Sequence, residues 1–106
     1  MNTFEKKVKG DEAKFAKEQE LKFRSISRRN KLIAIWASSL MKKNEEDTKT
    51  YFMDIISLYI DKPDDKIIIE KIANDLKESN VEISNEDINN KLSECLKDAQ
   101  SQLMNE

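Results

Sequence analysis

The sequence predicts an all-α protein, a small four-helix bundle with a long N-terminal helix that partly projects from it. Its 106 residues include one glycine and one proline, which leaves little material for hairpins and tight loops. No proline interrupts residues 4–42, where Gly10 is the one poor helix former. A helix of that length reaches roughly 58 Å, whereas each later predicted helix is only about 20–30 Å long. A compact bundle therefore covers only one half of it.

The first predicted helix has two halves that differ in apolar content. Residues 21–41 carry an apolar face wide enough for a core. Its members are Leu21, Phe23, Ile26, Leu32, Ile33, Trp36, Ala37, Leu40 and Met41, opposite Arg24, Ser25, Ser27, Arg28, Arg29, Lys31 and Ser38. On that side residues 1–20 carry only Phe4, Val8 and Phe15, too few to pack against a bundle. We therefore expect an N-terminal arm, residues 1–20, mobile or helical, and a four-helix bundle, residues 21–106.

Cap signals begin three further helices. The predicted helices span about 45–61, 64–77 and 85–104. Asn44 is a typical N-cap residue, Asp64 or Asp61 can cap the third helix around Pro63, and Ser84 begins a sequence that resembles a capping box. The chain turns between the last two helices, and we expect the apolar residues of that turn to tuck under the bundle end.

The second predicted helix is apolar around more than half of its circumference, which is typical of a central helix. Its apolar residues are Tyr51, Phe52, Met53, Ile55, Ile56, Leu58, Tyr59 and Ile60. The isoleucine run 67–69 is also compatible with a strand, but no comparable second strand exists, so a helix is predicted there. Trp36 and Cys95 are predicted core residues, Cys95 as a small buried hydrophobe rather than a reactive thiol.

Composition argues against an enzyme, a metal site and a membrane span. The sequence lacks histidine, the usual general base and the commonest metal ligand. Its acidic pairs stand at predicted helix starts, where the helix dipole accounts for them. The longest apolar run, residues 32–37, is far shorter than the ~20 residues that span a bilayer. The N-terminus has no signal-like apolar stretch, and one cysteine excludes an internal disulfide, so we expect a cytoplasmic protein.

Charge is distributed unevenly along the chain. Residues 1–43 hold twelve Lys/Arg and five Asp/Glu, a formal charge of +7, whereas residues 44–106 hold seven and sixteen, a charge of −9. Either the two parts meet different partner surfaces or they attract each other. Arg24, Arg28 and Lys31 stand at i, i+4 and i+7 and form one basic ridge. This ridge either contacts an acidic patch or a phosphate of a partner, or pairs with acids of the other helices.

A series of segments along the whole chain resembles the zeta subunit of the alphaproteobacterial F-type ATP synthase. The matching segments are Phe4, Glu12-Ala13-Lys14-Phe15-Ala16, Glu20-Leu21-Lys22-Phe23, Arg28-Arg29-Asn30-Lys31-Leu32, Trp36-Ala37, Lys62-Pro63, Ala73-Asn74-Asp75-Leu76, Val81–Ser84, Asp87 and Lys91-Leu92. No single segment is as specific as a metal motif, but the order and spacing of the series are hard to obtain by chance. The sequence departs from the family pattern at Gly10, which weakens helix formation by about 1 kcal/mol relative to alanine.

The resemblance implies a regulatory four-helix bundle that inhibits ATP hydrolysis. In that family the N-terminal segment inserts at a catalytic α/β interface and blocks rotation. The implied partners are the α and β subunits, with γ as an additional candidate, on the cytoplasmic side of the membrane-bound synthase. The resemblance implies partner-binding roles for Thr3, Phe4, Lys7, Glu12, Lys14 and Phe15, and Val8 joins the two phenylalanines as an apolar anchor. We expect no cofactor, although the resemblance leaves adenine nucleotide binding open, and we expect a monomer when the protein is free.

Two other classes of function compete with this interpretation. A nucleic-acid-binding bundle would use the basic face of the first helix, but net acidity and only three arginines disfavour it. A small helical adaptor would use the same face without affecting any enzyme. Nucleic-acid binding should weaken steeply with salt, whereas synthase inhibition should require residues 1–18.

Overall fold

Four helices make up the described chain, and the prediction of an all-α bundle is confirmed. The computed structural model describes the backbone of residues 3–106 and the side chains of residues 13–106. The helices are α1 (Thr3–Leu40), α2 (Glu45–Asp61), α3 (Asp65–Glu78) and α4 (Asn85–Met104), and no strand is found in this described part of the chain. The isoleucine run at the start of α3 is therefore helical.

Side-chain caps begin α2, α3 and α4 at the positions that the sequence predicts. The Asn44 side chain accepts a hydrogen bond from the Asp47 amide at 2.7 Å. Asp64, rather than Asp61, caps α3 by accepting from the Lys66 amide at 3.0 Å, and Ser84 accepts from the Asp87 amide at 3.1 Å. Each cap satisfies an amide that lacks a partner within its own helix. These three interactions fix where the chain re-enters helix after each turn.

Both α1 and α3 end in Schellman motifs built without glycine. Lys42 and Asn80 have left-handed backbones, with φ of 58° and 62°. The amide after each of them bonds back to a carbonyl five residues earlier, from Lys43 to Ser38 at 3.0 Å and from Val81 to Leu76 at 2.9 Å. The second motif directs Val81 against the core, and the predicted packing of this turn under the bundle is confirmed.

The core lies along the C-terminal half of α1, which contacts all three other helices. Its buried apolar members are Ile33, Ala34, Ala37, Tyr51, Ile55, Ile68, Ile72, Leu76, Ile88, Leu92 and Cys95. Ala34 and Ala37 are fully buried and let neighbouring helices approach the α1 backbone closely. Trp36, predicted as a core residue, packs against this cluster while remaining partly exposed.

The prediction that α2 is the central helix is wrong. Met53 and Ile60 of α2 are 56% and 74% exposed, and only Tyr51 and Ile55 are buried there. α1 is central because small residues and fully buried Ser38 widen its packing face beyond the apolar stripe of the helical wheel. Among the residues that the structure describes, none of the helices combines the length and apolar character needed to cross a bilayer.

Candidate partner-binding surface

An exposed segment of α1, residues 13–24, precedes the part of the helix that packs in the bundle. Every residue in it is exposed, including Lys14 and Phe15, and the first buried residue of the described part of α1 is Ser25. Phe15 is 64% exposed and Phe23 70%. Single exposed apolar side chains are common on protein surfaces, so these two matter because the whole segment around them is exposed.

The helical wheel assigned Leu21 and Phe23 to the buried face, and the structure corrects this assignment. Both are exposed, Leu21 by 44% and Phe23 by 70%. Leu21 instead forms one wall of an open groove of about 700 Å³. The groove is lined by Leu21, Lys22, Ser25 and Ile26 of α1 and by Leu96, Gln100, Leu103 and Met104 of α4.

Five of the predicted contact residues lie outside the part of the chain whose side chains are described. They are Thr3, Phe4, Lys7, Val8 and Glu12. Lys14 and Phe15 are exposed on the segment that follows them, on the same continuous helix. The partner-binding roles of the five residues stay a prediction that rests on their position in α1.

The arginines of the predicted basic ridge bind a carboxylate of the same chain. Arg28 Nη2 lies 2.6 Å from Glu106 Oε1, and Arg24 Nη2 lies 3.2 Å from Glu106 Oε2. Arg28 Nη1 also donates to Gln102 Oε1 at 2.9 Å. The hydrogen bond from Arg28 holds the pKa of Glu106 below its usual value. Lys31 lies apart from this pairing, with its Nζ 5.7 Å from the centre of the Phe52 ring.

A buried arginine is the polar feature that sequence reasoning missed. Arg29 was placed on the polar face, yet it is 4% exposed. Its guanidinium donates to both oxygens of Asp65, at 2.9 and 3.3 Å, and to Asn30 Oδ1. The Tyr59 ring centre lies 5.5 Å from the Arg29 Cζ atom. Arg29 therefore links α1 to the start of α3, and its role is to stabilise the fold.

A second internal polar cluster joins α2 to α3. The Tyr51 hydroxyl donates to Asp75 Oδ2 at 2.8 Å, and Lys71 Nζ lies 3.1 Å from the same oxygen. Burial, followed by the hydrogen bond to Asp75, raises the pKa of Tyr51 far above its ordinary range. Lys43 and Lys71 lie 5.5 and 5.3 Å from the Tyr51 ring centre. The cluster stabilises the bundle because its buried polar atoms have partners.

The described residues offer no arrangement typical of a catalytic or metal centre. No group of three or more potential ligands lies together within residues 13–106. Cys95 is buried, as predicted, and burial raises the pKa of its thiol, which disfavours the reactive thiolate.

Comparisons with known proteins identify the family. The sequence model described as ATPase inhibitor subunit zeta matches residues 1–102, which covers the exposed segment, α1 to α3 and all but the last two residues of α4. No curated protein and no solved structure gives a significant match. The family is one of regulatory, non-catalytic subunits. On the length of this match, the chain belongs to the ATPase inhibitor subunit zeta family.

Proposed function

We propose that this protein inhibits ATP hydrolysis by the F-type ATP synthase by inserting the N-terminal part of α1 at a catalytic α/β interface. An inserted helix blocks the rotation that hydrolysis drives. The partners are the α and β subunits, with γ as a further contact, reached from the cytoplasmic side. The free protein acts as a monomer, and the bundle serves to hold the inserted helix in position.

The observation that carries this proposal is the exposure of every residue from 13 to 24 on a helix continuous with the buried half of α1. A helix anchored in a packed bundle is stiff, so part of the ordering entropy of docking is already removed before it meets its partner. Phe15 offers an aromatic anchor for an apolar crevice. Lys14 and the other lysines of the N-terminal region supply charge for steering and rim contacts.

Nucleic-acid binding, the alternative, has less support. Each of the three arginines of the sequence is paired with a carboxylate, Arg24 and Arg28 with Glu106 and Arg29 with Asp65. Only Arg29 is withdrawn from the surface, by its pair with Asp65, and the net charge of −2 is unfavourable for binding a phosphate backbone. This charge and the family match therefore favour protein binding through the exposed segment.

The test is an ATPase assay of a matching synthase with the full chain and with a version lacking residues 1–18. The shortened chain keeps every residue that is buried within residues 13–106, so we expect the bundle to retain its thermal stability. Full-length protein should inhibit hydrolysis, and the shortened version should not. Equal inhibition by both versions would exclude insertion of the N-terminal helix, and no inhibition by either would support the adaptor alternative.

Point variants sharpen this assay, because Phe15 and Ile60 are both exposed apolar residues on different helices. Phe15→Ala should raise the half-inhibitory concentration by roughly tenfold or more, as for an interface anchor. Ile60→Ala is the matched control and should leave it unchanged. Phe4→Ala and Val8→Asp should act like Phe15→Ala, without a large loss of melting temperature. Equal effects of Phe15→Ala and Ile60→Ala would remove the special role of the exposed segment.

A further inference from the structure

We infer that Arg24 and Arg28 form a carboxylate-binding site for an acidic segment of the ATPase, and that Glu106 occupies this site in the free protein. The inference rests on the proposed function and adds a second contact at the base of the inserted helix. In the complex, the site binds a segment of the partner that has an acidic side chain next to an apolar one. On docking, the carboxylate of this segment replaces the Glu106 carboxylate.

The geometry of the pair is suited to one carboxylate. Arg24 and Arg28 stand four residues apart on α1, so their side chains leave the same face of the helix. Each guanidinium binds a different oxygen of Glu106, at 3.2 and 2.6 Å. Gln102 accepts a second hydrogen bond from Arg28 at 2.9 Å and so holds that guanidinium in its orientation. Planar, charge-assisted recognition of this kind is a property of arginine that lysine does not share.

A shallow apolar groove of about 260 Å³ lies beside the two arginines. Its walls come from Phe23, Phe52, Ile56 and Leu103, and Ser27 and Lys31 complete the rim. A partner carboxylate bound by Arg24 and Arg28 would place a neighbouring apolar side chain against this groove. Lys31, which lies over Phe52, extends the positive rim. The charge of the rim therefore selects an acidic partner segment.

Glu106 can leave the site without disturbing the bundle. It lies beyond the end of α4 at Met104, and the last buried residue of that helix is Ala99. The side chains of Glu106 and Arg24 are about half exposed, so the internal ion pair is weak and screened by water. By contrast, the Arg29–Asp65 pair joins a half-exposed carboxylate to an Arg29 side chain that is 5% exposed, and breaking that pair would leave a buried positive charge without its partner. The Glu106 pair is therefore exchangeable, whereas the Arg29 pair is not.

The test compares Glu106→Gln with wild type in the full chain, by titrating inhibition and direct binding to the ATPase. Removing the internal competitor should tighten binding by about twofold to fivefold, the range expected for an exposed ion pair. Glu94→Gln is the matched control, because it removes one carboxylate from the exposed Lys91–Glu94 pair with the same change in net charge. Glu94→Gln should leave affinity unchanged.

A double-mutant cycle completes the test. Combined Arg24→Gln and Arg28→Gln substitutions should weaken binding by about tenfold, and Glu106→Gln should have no further effect in that background. Unchanged or weaker binding by Glu106→Gln, or equal tightening by Glu94→Gln, would overturn the inference. Maximal inhibition at saturating protein tests the proposed function separately. If the protein inhibits but Glu106→Gln does not tighten binding, only the carboxylate exchange is overturned. Absence of any binding overturns both.

Discussion

Residues 13–24 and residues 25–40 of α1 belong to one continuous helix but differ in how far their side chains are buried. Residues 13–24 are exposed throughout, whereas the following stretch to Leu40 alternates buried and partly buried positions with few exposed ones. Helix propensity does not account for the difference, because the exposed part, with its Ala, Lys, Glu and Gln, has the stronger helix formers, while the packed part holds four serines and three isoleucines. What separates them is how closely the other helices pack against them. One part stabilises the fold, and the other remains available for binding.

The largest expected effect of this difference is on stability. Ile33 is fully buried, so Ile33→Ala should lower the free energy of unfolding by about 4 kcal/mol. Phe15→Ala, in the exposed segment, should change it by less than about 0.5 kcal/mol while reducing inhibition. Urea denaturation of the two variants measures both quantities. A loss above about 2 kcal/mol for Phe15→Ala would show that the exposed segment belongs to the folded core.

The next largest effect is the difference in stability lost when each of the two arginine–carboxylate pairs is broken. Asp65→Asn leaves the buried Arg29 guanidinium without its anionic partner and should cost about 2 kcal/mol. Glu106→Gln should lower the melting temperature far less than Asp65→Asn, because Glu106 and both arginines that bind it are partly exposed. Thermal unfolding of both variants in one buffer tests the comparison. A larger loss for Glu106→Gln than for Asp65→Asn would reverse the assignment of structural and exchangeable pairs.

Sequence reasoning was accurate where the cause is local. Asn44 and Ser84 were predicted as caps because a cap depends on residues within one turn. Burial of Arg29 was not predicted, because it depends on Asp65, which is distant in sequence and is brought close by packing. The helical wheel likewise put Phe23 in the core, since periodicity does not reveal which neighbours are present.

At the candidate site, too, local features were predictable from the sequence and long-range contacts were not. Exposure of Lys14 and Phe15 agrees with the sparse apolar content that the sequence shows for the N-terminal half of the helix. Pairing of Arg24 and Arg28 with Glu106 was one of two alternatives left open, and no local signal chose between them. An acidic residue just beyond the last predicted helix is the only hint that the sequence offered.

A smaller effect should come from a hydroxyl in the packed half of α1. Ser38 is fully buried, and its Oγ has no hydrogen-bond partner. Ser38→Ala should therefore stabilise the protein by about 1 kcal/mol, because it removes an unsatisfied polar atom without changing the packing. Ser25→Ala, at the edge of the exposed segment, is the control and should have little effect. Destabilisation by Ser38→Ala would indicate a hydrogen bond that the structure lacks.

The smallest effect is the titration of Glu106. Its folded-state pKa is lowered from the ordinary value of 4.5, chiefly by the hydrogen bond from Arg28. The stabilising contribution of the pair is therefore present above pH 4.5 and is lost as the pH falls through the lowered value. Carboxyl-carbon NMR should give a midpoint below 4.5 that moves upward in Arg28→Gln. A midpoint at or above 4.5 in the wild type would contradict the pairing in solution.

The most direct test of the central claim is hydrogen exchange of the backbone amides, free and bound to the ATPase. If α1 inserts while the bundle only holds it, amides of residues 1–24 should gain protection on binding. Those of α3, Asp65–Glu78, should exchange as they do in the free protein. Protection gained in α3 with no change in residues 1–24 would contradict the account.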